Sequence, residues 1–295
     1  MEDNAMKALV TLTSSEGKRL VAKGVVKMDI VQRALREGII AVDAGSSGAY
    51  VSEELARELK VELAIKDKRE WIIGLIAQEG SCLEAVQSWK LPVFIKGKVE
   101  YVDFPQENFS KYFPQMGSKY IIIKGGNAVD CNGKAGGLCA ANSGGHLGGW
   151  ISHALVAGIN IIVPITLNKT IPTPIERVVS ELGRSKISVK HCHGMTVGML
   201  PMPGIVVREI EALKVLAEVE VIPVAGSGIG SGEGTVTMLI QGAEGNVDKA
   251  WEIVQSIKGE PRLEENRCDC KTCVVPGDPF GLGIQCSTRA TKKTG

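Results

Sequence analysis

The apolar positions of the chain change period several times, and each change marks an element. From Asp29 a helical spacing runs through Val31 and Leu35. Asp29 stands where an N-cap belongs, with Gln32 three residues on as its capping-box partner, and Gly38 ends the helix. Ile39-Ile40-Ala41-Val42 is then apolar without a break, the pattern of a strand buried on both faces. Ala44-Gly45-Ser46-Ser47-Gly48 follows, and after it a helix with Val51, Leu55 and Leu59 on one side. Strand, Gly/Ser loop and helix in that order present free backbone N–H groups and a positive helix end to an anion.

Trp71 to Ala77 and Leu91 to Asp103 predict strands, the second a hairpin turning at Gly97-Lys98, whereas Asn108 to Met116 reads as irregular. The strand–helix rhythm resumes at Tyr120-Ile121-Ile122-Ile123, which runs into Lys124-Gly125-Gly126-Asn127-Ala128. A turn at Asn132-Gly133 and a glycine-rich stretch lead to a helix over Leu147 to Ala157, stopped by Gly158, and a buried strand over Ile159 to Val163. Thr173-Pro174-Ile175-Glu176 opens a short helix with Thr as cap and Pro in the first position. Residues 1–203 therefore read as an α/β domain built on a mostly parallel, Rossmann-like sheet with helices on both faces.

Past residue 203 the pattern changes. Val206, Ile210, Leu213 and Ala217 share a helical face, Val219–Val224 and Thr235–Ile240 are strands, and Asn246 caps a helix that Gly259 ends. This predicts a small α+β, ferredoxin-like unit over 204–261. Residues 262–295 have little periodicity and form a Cys-rich tail.

Composition narrows the classes. Lys plus Arg is 34 against 33 for Asp plus Glu, a formal charge of +1 that provides no footprint for nucleic acid and no polybasic run for a membrane surface. The longest apolar run, Ile151 to Ile165, is too short and too interrupted to span a bilayer. An N-terminus opening on Glu2, Asp3 and Asn4 is no signal peptide, which predicts a cytoplasmic protein whose eight cysteines are thiols or metal ligands before disulfides. Gly is high at 35 residues, and aromatics are only 4%, which suits tight turns and close backbone approach.

Candidate chemistry gathers at strand ends and glycine loops. Gly45, Ser46, Ser47 and Gly48 form a candidate phosphate or carboxylate cradle, against the alternative of a plain βα turn. Lys124, Gly125, Gly126 and Asn127 stand outside the carboxyl end of a strand, where open α/β sheets bind ligands. Asp130 beside the Asn-Gly turn is a turn residue before it is a base. Ser143, Gly144 and Gly145 precede His146, a candidate general acid–base. His191, Cys192 and His193 alternate as on a strand, with both histidines on one face. The glycine-rich loop from Gly226 to Gly234 is a candidate lid, with Glu233 its only acid and a candidate for proton transfer or attack on a thioester. Cys268, Cys270, Cys273 and Cys286 have spacings that suit one zinc or an iron–sulfur cluster. Cys82, Cys131 and Cys139 read as small buried hydrophobes or bystanders.

Three stretches carry a family resemblance. GIIAVDAGSSGAYVSEEL over Gly38 to Leu59 is similar to the first strand–loop–helix of the superfamily that holds ribose-5-phosphate isomerase A, glucosamine-6-phosphate deaminase, the CoA transferases and methylthioribose-1-phosphate isomerase. IIIKGGNAVD over Ile121 to Asp130 resembles their strand-end Lys-Gly-Gly segment, and the stretch from Asn132 through Thr166, ending GINIIVPIT, resembles the methylthioribose-phosphate and initiation-factor-2B branch. The resemblance implies a scaffold for a phosphorylated or CoA-linked metabolite, with the 204–261 unit as a lid domain. The Asp-Gly-Ala-Asp-Glu acid motif of the ribose-phosphate isomerases is absent, as is a recognisable acyl-accepting glutamate of the CoA transferases. The expectation is an anion-binding protein, a homo-oligomer, with isomerase- or transferase-type chemistry. The alternative is a non-catalytic ligand or redox sensor with its metal in the tail.

Overall fold

The computed structural model describes residues 5–83, 89–104, 109, 112, 114, 117, 119–265 and 283–287. In chain order the elements are β1 (Met6–Leu12), α1 (Ser14–Lys27), α2 (Asp29–Glu37), β2 (Ile39–Val42) and α3 (Ser46–Leu59). Two hairpins follow, β3 (Gly74–Ala77) with β4 (Gly80–Leu83), and β5 (Trp89–Ile95) with β6 (Lys98–Phe104). Then come β7 (Ile121–Ile123), β8 (Ala128–Asp130), β9 (Ala135–Cys139), α4 (Gly145–Gly148), α5 (Ile151–Ala157) and β10 (Asn160–Pro164). The remaining elements are β11 (Thr170–Ile171), α6 (Ile175–Glu181), β12 (Gly198–Met202), β13 (Ile205–Val207), α7 (Glu209–Ala217), β14 (Glu220–Gly226), β15 (Val236–Gly242) and α8 (Glu244–Ile257).

The expected mostly parallel, Rossmann-like sheet is not what forms. The largest sheet has the order β13-β10-β7-β2-β5-β6, parallel from β13 to β2 and antiparallel where β5 and β6 add to its other edge. Beside it stand a mixed four-stranded sheet, β11-β8-β9-β12, and two small antiparallel sheets, β1-β15-β14 and β3-β4. The glycines of Ala135–Cys139, which suggest a loop, lie within a strand because neighbours leave no room for a side chain. A Cβ on Gly136 would sit 2.5 Å from the Met199 sulfur, and one on Gly137 would sit 2.9 Å from Leu147.

The apolar runs do mark the centre of the molecule. Along β2, Ile40 and Val42 join a core with Ile121, Ile123 and Ile162, while Ile39 and Ala41 join a second core with Ile122, Ile161 and Val163. Successive side chains point to opposite faces, so a sheet buried on both sides needs this unbroken apolar pattern. The first core continues through α1, α3 and α7 to α8 and the inner face of the β1-β15-β14 sheet. The small sheet thus takes one strand from the N-terminus as well as two from the 204–261 region.

Several caps are made differently from the sequence expectation. Asp29 is the first residue of α2 and makes no side-chain cap, and Gln32 instead donates to the Val26 carbonyl at 2.8 Å. The N-terminus of α6 is held not by Thr173 but by Asp130, whose carboxylate accepts from Ile175 N–H at 3.0 Å. The helix expected at Asn246 begins at Glu244, and the one expected over Leu147 to Ala157 is two short helices, α4 and α5. Helix α1, by contrast, carries a complete capping box between Thr13 and Glu16.

Helices α1 and α3 are locked to the end of α8 by a buried cation. Arg19 donates to Glu54 at 2.8 Å and Glu260 at 2.9 Å, is paired also with Glu53, and lies 4.7 Å over the Tyr50 ring. Arg19→Ala leaves Glu53, Glu54 and Glu260 to the more exposed Lys68, Arg57 and Lys23, and is expected to cost about 3–5 kcal/mol in urea unfolding. A loss below about 1 kcal/mol, the level of a surface pair, would contradict this role.

Candidate functional site

The organising group is one that strand reading passes over, Asp43, the residue after the last of β2. It is 1% exposed, and its carboxylate is surrounded by donors from distant parts of the chain. Trp150 Nε1–H donates to Oδ2 at 2.8 Å, Lys124 Nζ lies 3.4 Å from the same oxygen, and His146 Nδ1–H donates to Oδ1. Lys124 also donates to the Ala44 carbonyl at 2.6 Å, which fixes the ammonium over the start of the Gly45–Gly48 loop. Phe109, itself buried, sets its ring edge-on to His146 at 5.5 Å between centroids. Burial alone would push the Asp43 carboxyl up, but His146 and Lys124 outweigh it and hold the group well below the usual carboxylate range. The sequence signal is an acid closing an apolar strand, which needs its counter-charge from elsewhere.

The Gly45–Gly48 loop opens α3. Gly45 takes φ +145°, open to glycine and strained for other residues, as the helix N-cap. Ser47 is buried, its Oγ has no hydrogen-bond partner among the described residues, and it faces Gly125, where a Cβ would lie 3.4 Å from that oxygen. A buried hydroxyl beside a helix N-terminus adds a donor to the N–H groups that such an end presents.

Two lysines that sequence reading missed extend this end of the sheet. Lys169 closes a 3₁₀ turn (Leu167–Lys169) after β10, and its Nζ donates to the Gly126 carbonyl at 2.8 Å. Burial, then the nearby ammoniums of Lys18 and Lys124, push Lys169 down to about 8. Lys18, on α1, donates to Ser14 Oγ at 2.9 Å and is likewise pushed down to about 8 by burial, with Glu209 opposing. Among the described residues neither Lys18 nor Lys169 has a carboxylate within ion-pair distance. Glu209 is buried, accepts from Leu167 N–H at 2.8 Å, and is raised to about 7 by burial. Nothing in the local pattern around Lys18 or Lys169 distinguishes them from surface lysines; their neighbourhood is a product of the fold.

The other sequence candidates fall in several places. Gly125 and Gly126 are glycines for packing, pressed by Pro164 O and by Ile165 and Gly136 O respectively. The Asn127 side-chain Oδ1 accepts from Leu138 N–H, which ties its loop to β9. Asp130 accepts from Asn132, Lys134 and Ile175, the work of a turn residue and helix cap. Gly144 and Gly145, at φ +78° and +61°, turn the chain from exposed Ser143 into α4 and aim His146 at Asp43. Cys139, read as a bystander, is half-buried within electrostatic reach of Lys124 and Asp43, and burial raises its thiol.

Glu233 is exposed, and no hydrogen bond or ion pair joins it to Lys124 or His146. Its loop rims a different space, an open cleft of about 600 Å³ whose lining includes Asn168, Arg208, Ser227 and Thr235 and none of Ser46, Lys124 or His146. His191 closes a 3₁₀ turn rather than lying on a strand, and both it and His193 are exposed. Cys268, Cys270 and Cys273 lie outside the described residues. Cys286 is paired across an antiparallel bridge with Met195, close enough to Cys192 to raise its thiol further after burial. Among the described residues no group of three or more His, Cys, Asp or Glu side chains could hold a metal ion, and no helix is long and apolar enough to cross a membrane.

Comparison with family models, with curated proteins and with solved structures finds no match to this chain.

Asp43 and Glu209 predict opposite pH responses. Asp43 is depressed, so its stabilisation is present above the ordinary carboxylate value and is lost as pH falls through the lower native one. Asp43→Asn is therefore expected to cost about 3 kcal/mol near neutrality, with the gap to wild type closing below about pH 4. A gap independent of pH in urea melts would contradict this. Glu209 is raised, so its contribution is full below the ordinary value and lost as pH rises through about 7. With Lys18, Arg208 and Glu211 the charged groups acting on it, Glu209→Gln should leave the melting temperature unchanged near about pH 5 and raise it near about pH 7.5. A drop at the higher pH would show Glu209 to be a stabilising anion instead.

Proposed function

We propose that this chain binds an anionic small metabolite, phosphorylated or CoA-linked, at the strand ends around Asp43, and moves a proton on it through His146 in isomerase- or transferase-type chemistry. The observation that carries the reading is the convergence of three ammoniums, Lys18, Lys124 and Lys169, on the end of the sheet where α3 begins and Ser47 holds an unused hydroxyl. Two of these lysines have depressed basicity and, among the described residues, no carboxylate within ion-pair distance, so an anion settling among them offsets their mutual repulsion and the cost of their burial. The N–H groups opening α3 and the hydroxyls of Ser46 and Ser47 supply directional donors.

Asp43 serves the chemistry through His146. A carboxylate accepting from Nδ1–H fixes the ring orientation of the imidazole that exchanges a proton with the ligand. Trp150 and Lys124 hold the carboxylate itself in place. The lysines bind the anion and His146 carries the proton, whereas Glu233, on another cleft, has no part in this reading.

Lys169→Met is the sharper test, because Lys124 is also a partner of Asp43 and its loss would disturb the fold. Calorimetric titration with inorganic phosphate and pyrophosphate is expected to show binding about tenfold or more weaker in Lys169→Met, with unfolding stability within about 1 kcal/mol of wild type. In a panel of phosphosugars and acyl-CoA thioesters, His146→Gln should lower kcat about 10²–10⁴-fold where wild type turns over. Absence of anion binding by the wild type, or equal losses of stability and affinity in Lys169→Met, would refute the site.

A further inference from the structure

The β1-β15-β14 sheet has one face buried against α8 and the first core and the other open. The strand register places three rows on the open face. Lys7, Gln241 and Glu220 form one row, and Leu9, Leu239 and Ile222 the next. Thr11 and Thr237 form a third, joined by a hydroxyl hydrogen bond of 2.8 Å. The inward neighbours Val10, Met238, Ile240 and Val221 are buried, which confirms that the alternate residues point out. Leu9 is 62% exposed and Ile222 39%, flanking Leu239 on the central strand. Isolated exposed apolar side chains are ordinary, but an aliphatic row spanning every strand of a sheet is a contiguous patch.

The charges on this face are arranged in a way that selects one occupant. Lys7 and Glu220 lie at opposite edges of the same row, one on β1 and one on β14, with Gln241 between them donating to Glu220 at 2.6 Å. A two-fold axis lying in the contact plane and running along β15 exchanges the two edges while leaving each row in place. It sets Lys7 against Glu220 of the partner subunit, and Glu220 against the partner's Lys7. The same rotation brings Leu9 over Ile222 of the partner subunit and Leu239 over the partner's Leu239. We infer that this sheet face is the interface of a homodimer packed face to face about that axis. The patch is complementary to itself, as an isologous contact requires, and stacked sheets with strands near parallel are a standard packing. Seven-residue strands at about 3.4 Å per residue and about 4.8 Å spacing make a footprint of roughly 24 by 14 Å. That is below the size of a standard stable interface, so the dimer is weak and concentration-dependent.

The test is sedimentation of the full chain from about 1 to about 200 µM, with Leu239→Lys and a charge-reversal set at exposed positions that the fold does not use. Wild type is expected to pass from monomer to dimer over this range, and Leu239→Lys, which puts like charges on the axis, to stay monomeric with an unchanged circular dichroism spectrum. Lys7→Glu alone and Glu220→Lys alone should each weaken the dimer about tenfold, and the double reversal should restore it. A monomer throughout, a dimer indifferent to Leu239→Lys, or single reversals that the double fails to rescue would each overturn the assignment. Its failure would leave the Lys169 anion test untouched, because that site lies at the other sheet.

Discussion

A carboxylate buried at the end of an apolar strand is stable only if the rest of the chain brings it cations and donors, and Asp43 sets that demand. Removed from water without partners, such a group would cost several kcal/mol and protonate instead. The solution recruits Lys124 from the end of the neighbouring parallel strand, and His146 and Trp150 from the segment that covers the opposite face. One interaction thereby fixes three things at once: the register of the loop opening α3, the direction of the Lys124 ammonium, and the rotamer of His146. The geometry of the candidate site is a consequence of neutralising one buried charge.

The neighbouring cations follow a different logic. Among the described residues, Lys18 and Lys169 have no carboxylate within ion-pair distance. They donate to a hydroxyl and a backbone carbonyl, and burial lowers their basicity, for Lys169 with the neighbouring ammoniums adding to it. Glu209, whose charge acts on Lys18, is itself held toward its neutral form by burial. Stability alone would favour replacing such groups, whereas a ligand of opposite charge would satisfy them, and sites of this kind are where perturbed titrations gather. Arg19, by contrast, has its positive charge met by Glu53, Glu54 and Glu260.

Periodicity made the centre of the fold legible. The apolar runs at Ile39–Val42, Ile121–Ile123 and Asn160–Pro164 are adjacent strands of the main sheet, and the hairpin at Gly97-Lys98 is present. What periodicity could not carry was partnership. That β5 and β6 would extend the main sheet antiparallel, or that β1 would pair with β15, depends on contacts between residues far apart in sequence. Glycine misled for a related reason, since Gly136 and Gly137 are required by Met199 and Leu147 and not by a turn. At the site, Lys124 and His146 were visible as residues closing a strand and opening a helix. Asp43 was hidden as one polar residue after four apolar ones, and Lys18 and Lys169 had no local signature.

The central claim is that Asp43 holds the His146 imidazole by its Nδ1 proton. Long-range proton–nitrogen correlation spectra of protein with labelled histidine read this directly. The account predicts a protonated Nδ1 on His146 with a slowly exchanging, strongly downfield proton, both lost in Asp43→Asn. A His146 ring unprotonated at Nδ1 in the wild type, or a spectrum unchanged by Asp43→Asn, would contradict it.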